Sequence, residues 1–513
     1  MKLFAPLHTV FFLLFSVTLI AQNVSILPTG ITPAPTSSHP RISYDQIMAL
    51  PSPQSGDLVY DLTFNCLRVF NGAKWLQLLT TQDIGQVSNM AWAQGSSITN
   101  SANRIVKDAN GNLYVCGTFK GTGIFGDTTA NSNGDFDIYL AKYSPIGELI
   151  WLRTAGSPAG DGSSDIVLDQ DGNILMTGYY FDVISFGSYT LSYSGGSDVF
   201  VTKYDPSGNV LWAKNAGGPG LDNANTIKTD AAGNVYLGGY FYGTITFYGS
   251  GNVTLNSLGQ SEGFLTKLDA SGHMLWARGI QGLESQNVSD LLIAGSDLVV
   301  LGIYSAYTDF GNSNTLNSGA GNTDVFVAKY NTSGTCLAVI GFGGAASDMA
   351  SRLTSDPNGN IWACGSLYSN ATVGSFNLIS AGNYDAFVVK LNSTLSILNA
   401  KLCGGSSLDY GKDIKADATG NIYLVGSFNE NISNGIISKN SKGAADIFIS
   451  KFTNSGNPDL LFTYGGADYD AANGLVVGSN LYVAGVFSGV VNFGNILTSM
   501  GTPLNGFVMR VAE

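Results

Sequence analysis

The chain has 513 residues and a formal net charge of −13, with only 24 basic residues. These form no Lys/Arg run, so the sequence excludes the positive surface that a nucleic-acid binder needs and disfavours anionic membranes as a partner. The composition (65 glycines, 44% hydrophobic, 12% charged) indicates an all-β protein of short strands and tight turns rather than a disordered chain.

Residues 1–21 are predicted to be an export signal peptide. Lys2 precedes an apolar run over 10–20, and Ala21-Gln22 follows that run. The run is too short to span a bilayer, and no second candidate follows it. We therefore expect an exported protein without a transmembrane segment, located in the periplasm, on the cell surface or outside the cell.

Two predicted segments separate the signal from the rest of the chain. Residues 22–56 contain six prolines and are predicted to be an extended linker. Residues 57–80 carry β-rich runs on both sides of Asn71-Gly72, a pair typical of a tight hairpin turn. This small hairpin resembles a module found ahead of repeat regions in exported Bacteroidetes proteins.

Residues 88–513 are built from an internal repeat. One string has the form Asp-x-x-Gly-Asn, followed by four residues and a closing glycine. A second string keeps the same interval and is typified by Asp198-Val-Phe-Val-Thr-Lys203-Tyr. The closing glycines, 61, 61, 63, 63, 61 and 59 residues apart, are Gly117, Gly178, Gly239, Gly302, Gly365, Gly426 and Gly485.

Each repeat offers four short β-rich runs joined by glycine-containing turns, and none shows helical periodicity. Four antiparallel strands repeated in this way predict a seven-bladed β-propeller of four-stranded blades. The first recognisable run, 90–95, matches a fourth strand, whereas the last, 506–511, matches a third. We therefore predict that these two runs pair, so that an N-terminal strand closes the propeller.

The two repeated strings are similar to the bacterial β-propeller repeat known as SBBP. The resemblance covers about residues 90–513 and rests on Asp108-Ala-Asn-Gly-Asn-Leu-Tyr-Val-Cys-Gly117 and its copies, with the Phe-Val-x-Lys-Tyr string in phase. It implies the propeller fold and no particular activity.

One acidic position recurs five residues before an apolar residue of each predicted first strand. On a propeller, equivalent positions form a ring, so these carboxylates are candidates for holding a calcium ion or a polar ligand. Alternatively, each caps its own loop by accepting backbone N–H bonds, which the repetition favours. The candidates are Asp161, Asp222, Asp348, Asp409 and Asp470, with Asn100 and Gln286 in the other two repeats.

A cationic residue also recurs in the third predicted strand of every repeat, from Lys142 to Arg510. An acid stands five residues before six of these cations. The set is predicted to form ion pairs at the rim or between blades, and an anion-binding ring is the alternative. The acids are Asp137, Asp198, Glu262, Asp324, Asp385 and Asp446.

The sequence shows no catalytic machinery. His273 is the only histidine in the repeats, and no nucleophile elbow accompanies it. Cys116 and Cys364 occupy the same repeat position and are predicted to be buried and reduced. We predict a non-catalytic binding or surface interaction module without a cofactor, with a sugar or a protein bound at the propeller face. A hydrolase or lyase using carboxylates at the channel mouth is the alternative.

Overall fold

A computed structural model of the chain forms two compact units, Met1–Ser88 and Asn89–Glu513. The signal peptide predicted over 1–21 lies outside the described residues, as does the Asn71-Gly72 turn. No helix in the described part of the chain is long and apolar enough to cross a membrane. The described residues are 26–27, 30–31, 41–42, 46–47, 49–55, 57–61, 66–70, 75–78, 91–93, 100–126, 128–249, 251–319, 321–478, 480–492, 496–498 and 504–511.

The N-terminal unit contains a small β-sheet around Trp75. β3, β4, β5 and β6 pair in that order, with β3 parallel to β4 and the other pairs antiparallel. Trp75 packs with buried Ile47 and Val59. Part of the segment predicted as a linker thus contributes to this sheet. The strands are β1 (Ile26–Leu27), β2 (Gly30–Ile31), β3 (Arg41–Ile42), β4 (Leu58–Asp61), β5 (Cys66–Phe70) and β6 (Trp75–Leu78).

The second unit consists of antiparallel strands that repeat along the chain, as predicted. Its strands up to residue 317 are β7 (Ala91–Ala93), β8 (Asn100–Lys107), β9 (Leu113–Phe125), β10 (Thr128–Tyr143), β11 (Leu149–Ala155), β12 (Gly162–Leu168), β13 (Ile174–Tyr180), β14 (Ile184–Phe186), β15 (Tyr189–Leu191), β16 (Asp198–Tyr204), β17 (Val210–Gly217), β18 (Asp222–Thr229), β19 (Val235–Phe247), β20 (Val253–Leu268), β21 (Met274–Gly282), β22 (Gln286–Ala294), β23 (Asp297–Ser305), β24 (Tyr307–Asp309) and β25 (Thr315–Asn317).

The pattern continues to the end of the described residues. The remaining strands are β26 (Thr323–Asn331), β27 (Cys336–Gly344), β28 (Met349–Ser355), β29 (Ile361–Leu367), β30 (Ala371–Val373), β31 (Phe376–Leu378), β32 (Asp385–Leu391), β33 (Ile397–Cys403), β34 (Asp409–Ala416), β35 (Ile422–Ser433), β36 (Ser438–Phe452), β37 (Pro458–Tyr464), β38 (Ala471–Val477), β39 (Leu481–Phe487), β40 (Val490–Asn492), β41 (Ile496–Thr498) and β42 (Asn505–Val511).

Four strands pair side by side in each repeat, and we number them first to fourth in the order in which they lie in the sheet. Short hairpins, such as β14–β15, lie between some second and third strands. The four-stranded arrangements are β8-β9-β10-β11, β12-β13-β16-β17, β18-β19-β20-β21, β22-β23-β26-β27, β28-β29-β32-β33, β34-β35-β36-β37 and β38-β39-β42-β7.

The last of these sheets joins the two ends of the repeat region. β42 pairs antiparallel with β7, with Phe507 opposite Ala93 and Met509 opposite Ala91. This register confirms the predicted pairing of residues 90–95 with residues 506–511. An N-terminal strand therefore stands as the fourth strand of the last sheet.

The repeated Asp-x-x-Gly-Asn string forms the turn between the first and second strands. Asp108 Oδ1 accepts the backbone N–H groups of Asn110 and Asn112, and its Oδ2 accepts the Asn112 side-chain amide. Gly111 has φ +83°, a left-handed conformation that glycine adopts without strain. Every residue that the string specifies therefore has a role in this turn.

The closing glycine of the string lies where two strands approach closely. A Cβ added to Gly178 would stand 1.9 Å from the carbonyl oxygen of Gly162 on the adjacent first strand. Any side chain at this position would push the first strand away from the second. The glycine therefore recurs because of a packing requirement inside the sheet.

The hydrophobic core lies between neighbouring sheets. One cluster joins Leu175 and Val201 of one repeat to Leu237 and Phe264 of the next. Another joins Val115 of the first sheet to residues of the last sheet, including Val508. Cys116 and Cys364 are buried and free, as predicted, in separate clusters.

Candidate functional site

The five predicted site aspartates lie at or next to the start of a first strand. None is more than 1% exposed, because each turns back into its own loop. Asp348 Oδ2 accepts the Gly344 N–H at 2.9 Å, and its Oδ1 accepts the Tyr368 N–H at 3.0 Å. Asp470 repeats this arrangement with the N–H groups of Gly466 and Ser488. This geometry corresponds to the loop-cap alternative.

The described residues contain no group of three or more His, Cys, Asp or Glu side chains arranged to hold a metal ion. Each of the five aspartates has instead one close acidic neighbour, which comes from the third strand of the preceding sheet. A backbone bond brings the two together: the Asp348 N–H donates to the Thr323 carbonyl at 2.7 Å, directly before Asp324. The sequence separation is 24 residues in every case. We call these acid pairs: Asp137–Asp161, Asp198–Asp222, Asp324–Asp348, Asp385–Asp409 and Asp446–Asp470.

The third-strand acids do not pair with the lysines that follow five residues later. An odd spacing places the two side chains on opposite faces of a strand. The lysines contact the turn aspartates of their own sheets instead. Lys203 Nζ lies 2.8 Å from Asp169 Oδ2, and Lys329 Nζ lies 2.6 Å from Asp297 Oδ2. The predicted pairing of the third-strand acids with these lysines is therefore wrong, and the lysines form ion pairs with other aspartates of their own sheets.

Burial raises the pKa of the acids in these pairs. Asp198 has its pKa raised to about 6 by desolvation. Desolvation and the nearby Asp198 charge raise the pKa of Asp222 to about 8. The pKa values of Asp324 and Asp348 rise to about 6 each, with desolvation again the main cause. A dry environment and a like charge both disfavour the ionised form, so the two effects act together.

A second polar cluster joins first strands from different sheets. Arg352 Nη1 lies 3.2 Å from Asp165 Oδ2 and 3.1 Å from Asp290 Oδ1. Lys228 Nζ lies 3.0 Å from Asp165 and 2.9 Å from Asp290. Burial alone would raise the pKa of Asp165, but Arg352 and Lys228 hold that pKa below its ordinary value. We call these four residues the ionic cluster.

The sequence analysis did not identify the ionic cluster. Three of its residues directly follow a β-bulge in the first strand, a position that holds a base in some repeats and an acid in others. Arg104 and Asp413 occupy the same position in two further repeats. This alternation of charge was the available signal. Charge reversal at one repeat position indicates contact between repeats rather than binding of a common ligand.

A row of tyrosines lies beside the acid pairs in one sector. The ring centroids of Tyr368 and Tyr384 are 4.9 Å apart, and those of Tyr384 and Tyr410 are 5.4 Å apart. Burial and the proximity of Tyr469 raise the pKa of Tyr410. Tyr368 is 41% exposed and Tyr469 42% exposed. We call Tyr368, Tyr384, Tyr410 and Tyr469 the tyrosine row.

A cation accompanies the tyrosine row. Lys412 Nζ lies 5.1 Å from the centre of the Tyr410 ring. Burial and the nearby Arg104 guanidinium lower the pKa of Lys412. The position of Tyr410 is occupied in other repeats by Gly162, Asn223 or Ala471. The row therefore departs from the repeat, which is why a search for repeated residues did not reveal it.

No protein-family model matches the chain. The uncharacterized WD repeat-containing protein L264 of Acanthamoeba polyphaga mimivirus is 26% identical over 230 residues, covering 38% of this chain and 17% of that protein. The regulatory protein FlaEY of Caulobacter vibrioides is 24% identical over 211 residues, covering 39% of this chain and 22% of that protein. The matches thus span less than a quarter of either relative. The WD-repeat similarity fits a repeat β-propeller.

Among solved structures, a protein of unknown function from Dyadobacter fermentans is similar at 13% identity and a TM-score of 0.38. That match covers 83% of this chain and 97% of the other. A score of this size supports no inference about function.

Proposed function

We propose that residues 89–513 form a closed seven-bladed β-propeller of the SBBP type, in which the chain's N-terminal strand completes the last blade. The β7–β42 pairing supports this arrangement. So do contacts between the first and last repeats: the Asn473 side chain donates to the Ala102 carbonyl at 3.2 Å, and the Asn100 N–H donates to the Leu504 carbonyl at 3.0 Å. Equivalent bonds link consecutive repeats, such as Asn225 to Val288.

The proposed function of this propeller is non-catalytic binding of a carbohydrate in an exported protein. The tyrosine row carries this proposal, because partly exposed aromatic rings offer an apolar face to a sugar ring and hydroxyl groups to its polar edge. Other residues occupy the positions of Tyr384 and Tyr410 in the other repeats, so the fold does not require these two tyrosines. Lys412 beside Tyr410 favours a sugar that carries a carboxylate or sulfate.

The acid pairs give little support to the alternative of a hydrolase or lyase. A glycosidase carboxylate must reach the scissile bond, and a pair with raised pKa values would otherwise suit that chemistry. Asp198 and Asp222 are both 0% exposed. The same pair recurs in five repeats, whereas a catalytic pair is needed only once. We therefore assign these acids to the fold.

Glycan-array screening of the full chain, followed by calorimetry on the best ligand, tests the proposed function. We expect acidic glycans to bind, and Tyr384→Ala or Tyr410→Ala to weaken binding at least tenfold, because each removes a stacking face. Tyr248→Ala is the matched control, since Tyr248 is also exposed but lies outside the row.

Two results would contradict the carbohydrate proposal. One is a bound glycan whose affinity is unchanged in Tyr384→Ala and Tyr410→Ala, which would move the site elsewhere. The other is the absence of glycan binding together with a protein partner whose affinity falls in the same two variants. That second result would keep the tyrosine row as the site and replace its ligand class.

A further inference from the structure

The two acids of a pair face the same small space. In Asp324–Asp348, a Cβ built on Gly343 would stand 2.3 Å from Asp324 Oδ1 and 2.6 Å from Asp348 Oδ2. Both oxygens thus lie within van der Waals distance of one point, and only a glycine leaves them room. At two other junctions a glycine lies equally close to the third-strand acid: Gly404 to Asp385 and Gly465 to Asp446.

The two members of a pair differ in their hydrogen bonds. Backbone N–H groups hold most first-strand acids, as Gly344 and Tyr368 hold Asp348, but Asp222 leaves both oxygens and Asp409 one oxygen without a hydrogen-bond partner. Four third-strand acids use one oxygen to accept the N–H four residues earlier, as Asp446 does with Lys442. The other oxygen of each third-strand acid is buried and accepts no hydrogen bond. These oxygens are Oδ1 of Asp137, Asp198, Asp324, Asp385 and Asp446.

The Asp198–Asp222 junction has the most carboxylate oxygens without a hydrogen-bond partner. The Gly218 N–H lies close to both Asp198 and Asp222, but its geometry is good for neither. A single donor shared in this way does not neutralise two negative charges.

Two adjacent carboxylates in a dry space repel each other, so a proton or a cation must separate them. The backbone N–H groups that surround the first-strand acid favour negative charge and disfavour a cation at the same place. A proton needs no further oxygen ligands, whereas calcium takes six to eight. A hydrogen bond from the third-strand acid to the first-strand carboxylate satisfies the unpartnered oxygen and removes one charge.

The remaining two junctions serve as an internal comparison. Glu262 and Gln286 occupy the pair positions at one, and Asn505 and Asn100 occupy them at the other. In both cases at least one member is an uncharged amide, which has nearly the shape of a protonated acid. Each of these two junctions therefore carries at most one charged group.

We propose that each acid pair shares one proton in the folded protein at about pH 6, so that the propeller takes up protons on folding and loses stability as the pH rises. The shared proton forms an O–H···O bond between the third strand of one blade and the first strand of the next. Five such bonds link successive blades.

Few other ionisable groups face the acid pairs. Among the described residues, Lys442 is the one cation beside a pair member, so Asp446–Asp470 is the pair least dependent on its proton. The others are acids, phenols or a thiol: Asp182 and Tyr179 at Asp161, Tyr180 at Asp198, Tyr304 at Asp324, Tyr384 at Asp348, Glu430 and Cys403 at Asp409, and Asp468 and Tyr469 at Asp470.

The direction of the pH effect follows from linkage. The folded-state pKa values of Asp324 and Asp348 are raised to about 6, above the ordinary value of 3.8. Between these values the folded state binds more protons than the unfolded state, so stability falls as the pH rises. Asp222 and Asp409, with their pKa raised to about 8, extend the window upward.

Thermal melts of the full chain between about pH 5 and 8 test the proposal, with Asp324→Asn compared with the wild type. The asparagine amide donates this hydrogen bond through its own N–H, so the pair no longer needs to take up a proton. We expect the wild-type Tm to fall across this range and Asp324→Asn to remove about one fifth of the fall, since one pair in five is replaced. Asp171→Asn, which removes an exposed charge, should leave the slope unchanged.

Infrared spectroscopy of the wild type gives a second readout that does not depend on how the variant folds. We expect a carboxylic acid C=O band at about pH 6, where an ordinary aspartate is already ionised. Absence of this band, or a Tm independent of pH, would overturn the proposal. A Tm raised by calcium and lowered by chelator, with the response reduced in Asp324→Asn, would indicate that a metal ion and not a proton lies between the two acids.

Discussion

The acid pairs and the tyrosine row lie side by side at the same end of the sheets, yet they follow opposite rules. The acid pairs recur in five repeats, are buried and bond to backbone N–H groups. The tyrosine row occurs in one sector, is partly exposed and breaks the repeat. In a repeat protein, what recurs serves the contact between repeats, and what departs from the repeat is free to bind a ligand. This comparison separates the two sets before any ligand is known.

Removal of the N-terminal strand should have the largest effect on the recurring part of the molecule. Deleting residues 86–96 takes away β7 and exposes the edge of β42. We expect Tm to fall by on the order of 5–10 °C, because one sheet loses its fourth strand and its partner edge. Differential scanning calorimetry measures this shift. A truncated chain as stable as the full one would refute closure by this strand.

Replacing Arg352 should reduce stability slightly less than deleting residues 86–96. In Arg352→Ala, Asp165 and Asp290 lose the guanidinium that lies 3.2 and 3.1 Å from them. Breaking a buried ion pair from one side costs about 3–5 kcal/mol, because the remaining charges stay buried. Urea titration measures the loss. Lys120→Ala, which breaks the exposed Lys120–Asp135 ion pair, is the comparison variant and should cost about 1 kcal/mol or less.

Removing a single acid of a pair should reduce stability less than removing Arg352. Asp348→Ala removes the acceptor of two backbone N–H groups and should cost about 1–3 kcal/mol. The cost of Asp348→Ala combined with Asp470→Ala should equal the sum, since well-separated sites rarely couple. Urea titration of the single and double variants measures both. Strong non-additivity would indicate one shared ion across the ring rather than separate pairs.

The recurring part of the structure could be predicted from the sequence. Asp108 and Gly111 indicate the turn directly, because the turn itself requires a side-chain acceptor at one position and a left-handed backbone at the other. The β7–β42 pairing followed from the phase of the repeat, and buried Cys116 from its position in a strand.

The contacts between repeats were harder to predict. Asp324 was assigned to the lysine five residues later, whereas its neighbour is Asp348, 24 residues away in the next repeat. A constant separation was visible in the sequence, but it indicates contact only once the order of the sheets is known. The tyrosine row combines loops of three repeats, and nothing in one repeat indicates it.

The most direct test of this account is to measure stability and glycan affinity together in Asp161→Ala and Tyr410→Ala. Asp161 accepts the backbone N–H groups of Ser157 and Phe181, away from the tyrosine row. We expect Asp161→Ala to lose about 1–3 kcal/mol of stability while the folded protein keeps its affinity. Tyr410→Ala should change stability by less than about 1 kcal/mol while affinity falls at least tenfold. If both variants lost affinity and stability in the same proportion, the separation between recurring structural residues and a unique binding row would be wrong.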